Sequence, residues 1–424
     1  MAMNSGLMLF DKPVISTDIE QSHFVDYYPI SSLQSGPIEF YIPGGNEEYV
    51  DCNDIYLQVR FKVVNKDGKP LKAVAEVATV NSALSSLFQD VRVLLNEKQV
   101  EGGDNGYPYK SYIAYLTQFD KQSKDTHLEV TGWEKDEKGK MDDKANAGWV
   151  QRKTWIAESR ECEFFGPLNL DLCRQSRYLL SHVNMRIILN RTSSDFFLME
   201  YDGGSPYKHI ITKAVLYVRR AVIKPSIINA HAVGLKRQNA LYPINHTRLT
   251  TFTIGTGKTS ETRDNLFPSQ MPKMLFIAMV DNAAYNGDSS KNPFNLQNFN
   301  LNRIALYCNG RAVMMPAFEP DFDKDKYSRA FCATSLTMGY FNKNRSCGLR
   351  YDMFGNGYTV FAYDLTADNL LQETHGHEAK AGNVRLELTF SKALAAPINV
   401  LLYAIYESSI EITETRDVIA NYHT

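Results

Sequence analysis

The chain has 424 residues, with 46 Lys+Arg against 48 Asp+Glu, 44% apolar residues and 22% charged ones. At about 150 residues per domain this length predicts two to three domains, and a net charge of −2 argues against a coat of nucleic acid with a wholly basic surface. The composition excludes a largely disordered chain, a collagen and a coiled coil, and 22 Phe and 24 Tyr beside 3 Trp lean toward β structure.

In chain order, the opening MAMNSGLMLFDKP lacks a basic start and a long apolar core, so no secretory signal is expected. Seven acids and one base fall in the first fifty residues, the opposite of a nucleic-acid-binding arm. Leu7, Met8, Leu9 and Phe10 make this arm apolar at its tip, suited to a neighbouring subunit or to its own barrel. Alternating strands are then predicted at Ile38–Ile42, Ile55–Val64, Val91–Val100 (with a bend at Asn96-Glu97), Val183–Leu189 and Ala214–Ile223. A helix is expected at Pro225–Leu235. Strands resume at Met274–Val280, Ile304–Tyr307, Tyr358–Tyr363, Val384–Phe390 and Val400–Tyr406, with a short helix at Ala367–Glu373. No run approaches the ~18 apolar residues of a membrane helix.

The order of these segments repeats. Tyr28-Pro29-Ile30 returns as Tyr242-Pro243-Ile244, and each precedes a run ending near a glycine, Ile38–Ile42 and Thr250–Ile254. VRVLLNEKQV matches IALYCNGRAV, pairing Val91 with Ile304, Asn96 with Asn309 and Val100 with Val313. Leu170-Asp171-Leu172 resembles Tyr363-Asp364-Leu365, Met185-Arg186-Ile187 resembles Val384-Arg385-Leu386, and Val215-Leu216-Tyr217 resembles Leu401-Leu402-Tyr403. Five matches in one order predict an all-β double jelly roll, two tandem eight-stranded sandwiches with long loop insertions and few short helices. The expected divisions are an arm over 1–20, a first jelly roll over 21–223, a linker with helical character over 224–240 and a second jelly roll over 241–424. Two long excursions, Gly102–Ser159 and Met314–Gly357, follow the matched strands and should rise from the same end of their barrels.

Motifs that carry chemistry elsewhere are incomplete here. Gly255-Thr256-Gly257-Lys258-Thr259 resembles a phosphate loop, but Phe252 stands where the first glycine belongs and no helix is expected after the lysine. Asp321, Asp323 and Asp325 alternate like a calcium loop, but Lys326 and Cys332 occupy the glycine and glutamate positions. His375 and His377, with Glu378 beside them, give too few ligands for zinc. Cys52, Cys162, Cys173, Cys308, Cys332 and Cys347 form no CxxC pair and are expected to be reduced thiols in a protein made in the cytosol. Sequons at Asn190, Asn245 and Asn344 are read as chance. No catalytic, cofactor-binding or metal residue is assigned, and no cofactor or specific nucleic-acid site is expected.

DYYPISSLQSGPIEFYIPGGNEEYVD, QVEGGDNGYPYKSYIAYL, KTWIAESRECEFFGPLNLDL, MPKMLFIAMVDNAAYNGD, SKNPFNLQNFNLN, NGYTVFAYDLTAD and the closing YAIYESSIEITETRDVI are long and unusual. Over roughly residues 20 to 420 they resemble the hexon-like major capsid proteins of Polinton (Maverick) elements and adintoviruses. That resemblance implies a double jelly roll in a virion, with homotrimers forming near-hexagonal tiles of an icosahedral double-stranded DNA capsid. It implies partners in vertex (penton) and minor capsid proteins, synthesis in the host cytosol and assembly in the nucleus. The rival class is a tandem-jelly-roll glycan-binding protein or glycan amidase, which needs acids clustered at the barrel junction.

Overall fold

The structure, a computed structural model, describes residues 18–204, 206–367 and 380–421. Sixteen strands build two sandwiches. The first holds β1 (Ile19–Tyr27), β2 (Ile38–Ile42), β3 (Glu48–Asn65), β4 (Phe88–Leu95), β5 (Lys98–Glu101), β6 (Cys162–Pro167), β7 (Met185–Arg191) and β8 (Tyr207–Ile223). The second holds β9 (Ala240–Ile254), β10 (Ser260–Arg263), β11 (Met274–Asp281), β12 (Leu301–Cys308), β13 (Arg311–Ala312), β14 (Val360–Asp364), β15 (Val384–Phe390) and β16 (Ile398–Ile412). The sheet orders are β1-β8-β3-β6 and β2-β7-β4-β5, then β9-β16-β11-β14 and β10-β15-β12-β13. Raising every strand number by eight converts the first pair of orders into the second. Every pairing is antiparallel. A last strand, β17 (Val418–Ala420), extends the sheet beside β16.

Side-chain alternation sets the layers. On β3, Ile55, Leu57, Val59, Phe61 and Val63 are wholly buried, while Tyr56, Gln58, Arg60 and Lys62 are half-exposed. Each inward residue contributes about 1.5–3 kcal/mol by leaving water. The two central strands of the equivalent sheet in the second sandwich lack this alternation. β11 (MLFIAMVD) is buried at every position but Asp281, and Ile398–Tyr406 of β16 is buried throughout. A strand that is apolar on both sides needs cover on both faces.

The hairpins after β4 and β12 are the clearest repeat. Asn96 and Glu97 have φ of 45° and 63°, and Asn309 and Gly310 have φ of 50° and 77°. Two successive left-handed residues make the two-residue turn that suits the twist of a hairpin. Asn96 N–H donates to Asn184 O (2.9 Å), and Asn184 N–H donates to Asn96 Oδ1 (2.8 Å). Asn309 N–H donates to Asn383 O (2.8 Å), and Asn383 N–H donates to Asn309 Oδ1 (2.9 Å). Each second asparagine also accepts from a third segment, Gly44 N–H on Asn184 Oδ1 at 2.9 Å and Asn265 N–H on Asn383 Oδ1 at 3.0 Å. The same three-segment clamp therefore closes both barrels.

Several expectations need correction. Val91–Val100 is a hairpin of β4 and β5, because the left-handed pair Asn96-Glu97 reverses the chain. Ile38–Ile42 is β2, whose counterpart is β10, whereas Thr250–Ile254 ends β9, the counterpart of β1. Tyr28 follows β1 while Tyr242 lies near the start of β9, so that three-residue likeness is coincidental. The Pro225–Leu235 helix forms over those residues. The Ala367–Glu373 expectation falls mostly outside the described residues, as do Leu7–Phe10. Helices Tyr107–Gln118, Ala147–Trp155 and Ser328–Thr337 were not anticipated and are labelled α1, α2 and α4, with Pro225–Leu235 as α3. In α1 eleven of twelve residues are buried, so no polar stripe marks it as a helix. All six cysteines are free; Cys52, Cys162, Cys173 and Cys347 are buried, and burial pushes the Cys162 thiol up to about 11.

Candidate assembly surfaces

Part of the cover on the second sandwich comes from the first, while α4 of its own excursion lies along β14, where Thr334 Oγ1 donates to Val360 O at 3.3 Å. α1 follows Gly106, where a Cβ would lie 2.4 Å from Leu249 Cδ2 of β9, so any other residue there would push the buried Leu249 side chain aside. Lys110 of α1 donates to Thr247 O at 2.9 Å and lies 3.5 Å from Asp104, whose carboxylate accepts Leu249 N–H at 3.2 Å. Asp171 accepts Thr247 N–H at 2.7 Å and Thr247 Oγ1 at 2.8 Å, with His246 Nδ1 3.3 Å away. Glu101 in turn accepts Asp171 N–H at 2.9 Å and Leu172 N–H at 3.3 Å.

Charge balance explains why this cluster persists in the interior. Burial opposes the Lys110 charge, but Asp104, Asp171 and Glu101 outweigh it and raise its pKa. Burial also opposes the Asp171 carboxylate, but hydrogen bonding to His246 and the Lys110 charge bring its pKa below the usual range. Glu101 is pushed up to about 8, first by burial and then by the negative charge of Asp171. The acids that a glycan enzyme would need at the junction are thus present, but Glu101 and Asp171 are buried and engaged by backbone N–H groups. The cluster fastens β9 to the first sandwich.

The two excursions meet each other, as launching from equivalent strands requires. Lys124 Nζ donates to Leu116 O (2.6 Å) within its own excursion and to Cys347 O (2.8 Å) in the other. Lys121 N–H donates to Ser346 O at 2.9 Å, Tyr340 OH to Gln118 O at 3.0 Å, and Lys138 pairs with Asp352. Beneath them lies a fully buried ion pair, Arg152 Nη2 to Asp136 Oδ1 at 2.7 Å. Arg152 also donates to Thr79 O (2.8 Å) and Glu134 O (2.9 Å), and Asp136 accepts from Asn146 (2.7 Å) and from Asn292 of the second sandwich (3.1 Å). The charged stretch Glu134–Gly148 is therefore exposed only in part, because Asp136, Met141 and Asn146 anchor it.

A second surface lies on the outer face of β1-β8-β3-β6. Phe24, Tyr56, Phe165 and Tyr217, one from each strand, form a chain of rings with centroids 6.1, 5.5 and 5.8 Å apart. Phe24 is 53% and Phe165 39% exposed. A third feature is a cleft of about 980 Å³ under α3, lined by Ile19, Tyr49, Leu180, Ile227 and Tyr242. α3 carries no charged residue and buries only Leu235.

The motifs singled out by sequence fall elsewhere. Gly255–Thr259 is an exposed turn leading into β10, with Gly257 N–H on Leu394 O at 2.8 Å and no helix behind it. Asp321 caps a short 3₁₀ turn through Lys324 N–H, and Asp323 pairs with Lys392. His375, His377 and Glu378 lie outside the described residues. Among the described residues no cluster of three potential metal ligands occurs, and no helix is long and apolar enough to cross a membrane.

Two sandwiches of matching eight-strand topology, one after the other in a single chain, define a double jelly-roll protein. Solved structures that the chain resembles include viral ones. A chain of the Sputnik virophage structure superposes with a TM-score of 0.67 at 11% identity, over 100% of this chain and 93% of that one. The mavirus major capsid protein gives 0.60 at 11% identity, over 99% of this chain and 94% of that one. In sequence, the uncharacterized protein F54H12.2 of Caenorhabditis elegans is 24% identical over 427 residues, covering 96% of this chain and 99% of that protein. No model of a known protein family matches.

Proposed function

We propose that this protein is a hexon-like major capsid protein, a structural subunit rather than an enzyme. The observation that carries the reading is the repeated strand order, β1–β8 copied in β9–β16 with its asparagine clamps, in a chain whose whole length follows two virophage capsid structures. Two similar barrels side by side supply a third of a near-hexagonal tile. Three copies around a threefold axis complete it, through head-to-tail contacts that close a ring. The boundaries we propose are 21–223 for the first barrel, 224–240 for the linker and 241–424 for the second barrel.

The sequence resemblance to Polinton and adintovirus capsid proteins supports a source in that lineage, a virus or an integrated element, and an animal relative matched over 99% of its length favours the element. The proposed location is the capsid, with a separate penton protein at the vertices and minor capsid proteins as further partners. Light scattering on the purified protein tests the core claim. A trimer mass, and closed shells by electron microscopy on expression, are expected. A monodisperse monomer across a wide concentration range, with no particles, refutes it.

A further inference from the structure

The loop that leads into β12, SKNPFNLQNFNLN, carries six amide side chains in thirteen residues. Asn292 is buried and bonded to Asp136, and Asn302 is exposed on β12. The other four, Asn295, Gln297, Asn298 and Asn300, line a cavity of about 320 Å³ together with Phe299. Both excursions complete its walls, the first through Gly139 and Met141, the second through Gly355, Asn356 and Gly357. The cavity therefore exists only where the two barrels of one chain meet. Gly357, at φ 95°, helps to keep it open, since a Cβ there would lie 2.7 Å from Met141 Cγ and 3.2 Å from Asn295 Oδ1.

Several of these amides are held at one end and free at the other. Asn295 Nδ2 donates to Asp142 Oδ2 at 2.6 Å, and Asn356 Nδ2 donates to Asp352 O at 2.7 Å. Asn298 is used at both ends, donating to Gly355 O at 2.9 Å and accepting Asn300 N–H at 2.8 Å, which ties the loop to the second excursion. Among the described residues, Asn295 Oδ1, Asn356 Oδ1 and the whole side-chain amides of Gln297 and Asn300 have no protein partner. No charged side chain lines the cavity. The lysines beside Gly139 are already paired, Lys138 with Asp352 and Lys140 with Glu137.

We propose that this cavity binds a neutral saccharide. A sugar hydroxyl both donates and accepts, and a side-chain amide offers an acceptor oxygen and two donor hydrogens to match it. Amides already fixed by one hydrogen bond lose little freedom when a ligand takes the other end. Phe299, half-buried at the cavity, offers apolar surface to the C–H face of a sugar ring. Ligand sites span about 300–1,000 Å³, so a cavity at the lower end of that range suits a short saccharide. An anionic ligand would need an unpaired cation. A peptide would need side-chain pockets or a free sheet edge. Neither lines this cavity. The site is complete within one chain, so it stands whether or not the protein assembles.

Saturation-transfer NMR on the full-length protein tests this. The probes are glucose, galactose, mannose, N-acetylglucosamine, N-acetylgalactosamine, lactose and maltose, with glucuronic acid and triglycine for comparison. At least one neutral sugar is expected to bind with a dissociation constant on the order of 1 mM. Gln297→Ala removes an amide with no protein partner and should weaken that binding about 10-fold. Gln297→Ala/Asn300→Gly removes both free amides, and glycine accepts the left-handed φ of 57° at residue 300. The double variant should weaken binding about 100-fold, with its thermal unfolding unchanged. The single variant gives the same reading should the double variant unfold. The proposal is overturned by a wild type that binds no neutral sugar, or by sugar binding that both variants leave intact. Glucuronic acid bound as tightly as the neutral sugars overturns the neutral class. Triglycine bound in place of sugars, and lost in the variants, makes this a peptide site and overturns the saccharide.

Discussion

Replacing Asp136 by Asn tests whether the buried ion pair holds the excursions on the barrels. The change keeps shape and removes one charge. Arg152 and Asp136 are both wholly buried, so the guanidinium would keep the Thr79 and Glu134 carbonyls and a neutral amide oxygen as acceptors but lose the charge that balances it. Breaking a buried pair from one side costs about 3–5 kcal/mol. The three neutral acceptors that remain favour the lower end, about 3 kcal/mol. The new amide also turns its NH2 group toward the Asn292 Nδ2 that Asp136 now receives at 3.1 Å, which adds about 1 kcal/mol for an unmet donor. The expected loss is therefore about 4 kcal/mol, read as a lower urea midpoint at unchanged slope. Adding Arg152→Met removes the stranded charge and should recover about 2 kcal/mol in a double-mutant cycle. An Asp136→Asn protein within about 0.5 kcal/mol of wild type, or a double variant no better than the single, refutes the reasoning.

Three further outcomes are expected. Asn96→Ala and Asn309→Ala should each cost about 2 kcal/mol in denaturant unfolding, since each loses a hydrogen bond to its clamp partner and forces alanine into a left-handed turn; unequal costs, one of them near zero, would contradict the equivalence of the clamps. Glu101 ionises near 4.5 when unfolded and near 8 when folded, so the unfolded state loses its proton first and stability should fall as pH rises from about 4.5 to about 8, by up to about 1.4 kcal/mol per pH unit; Glu101→Gln should flatten that part of the profile, and an unchanged slope would count against it. Trypsin should cut first at Lys343 or Arg345, in the exposed stretch 341–346, and only later at Lys138 or Lys140, whose neighbours Asp136 and Met141 are buried; early cleavage at Lys138 would show that the Asp136 anchor does not hold its loop.

The two-barrel architecture was legible because a half-buried strand writes its alternation into the sequence, and because a hairpin needs particular residues to reverse. IEFYI, VRLELTF and the match of Asn96 with Asn309 are of this kind, and they fix strands and one clamp position in each barrel. Pro225 and the uncharged run behind it announced the helix between the barrels. The short likeness of Tyr28-Pro29-Ile30 to Tyr242-Pro243-Ile244 misled, because three residues do not specify where along a strand they sit.

What the sequence could not state is what lies on the outside of each sheet. β11 and β16 read as continuous apolar runs, which shows that both faces are covered but not by what. Part of the cover is α1, which is apolar nearly all round and so leaves no periodic trace of being a helix. Its Lys110 meets Thr247 137 residues further along the chain, and Asp136 meets Asn292 156 residues further along. Contacts over such separations depend on how whole barrels pack, and no local spacing encodes them. Periodicity along the chain determined the two jelly rolls; the seam between them, and the aromatic face left open on the first, were decided only when the barrels came together in space.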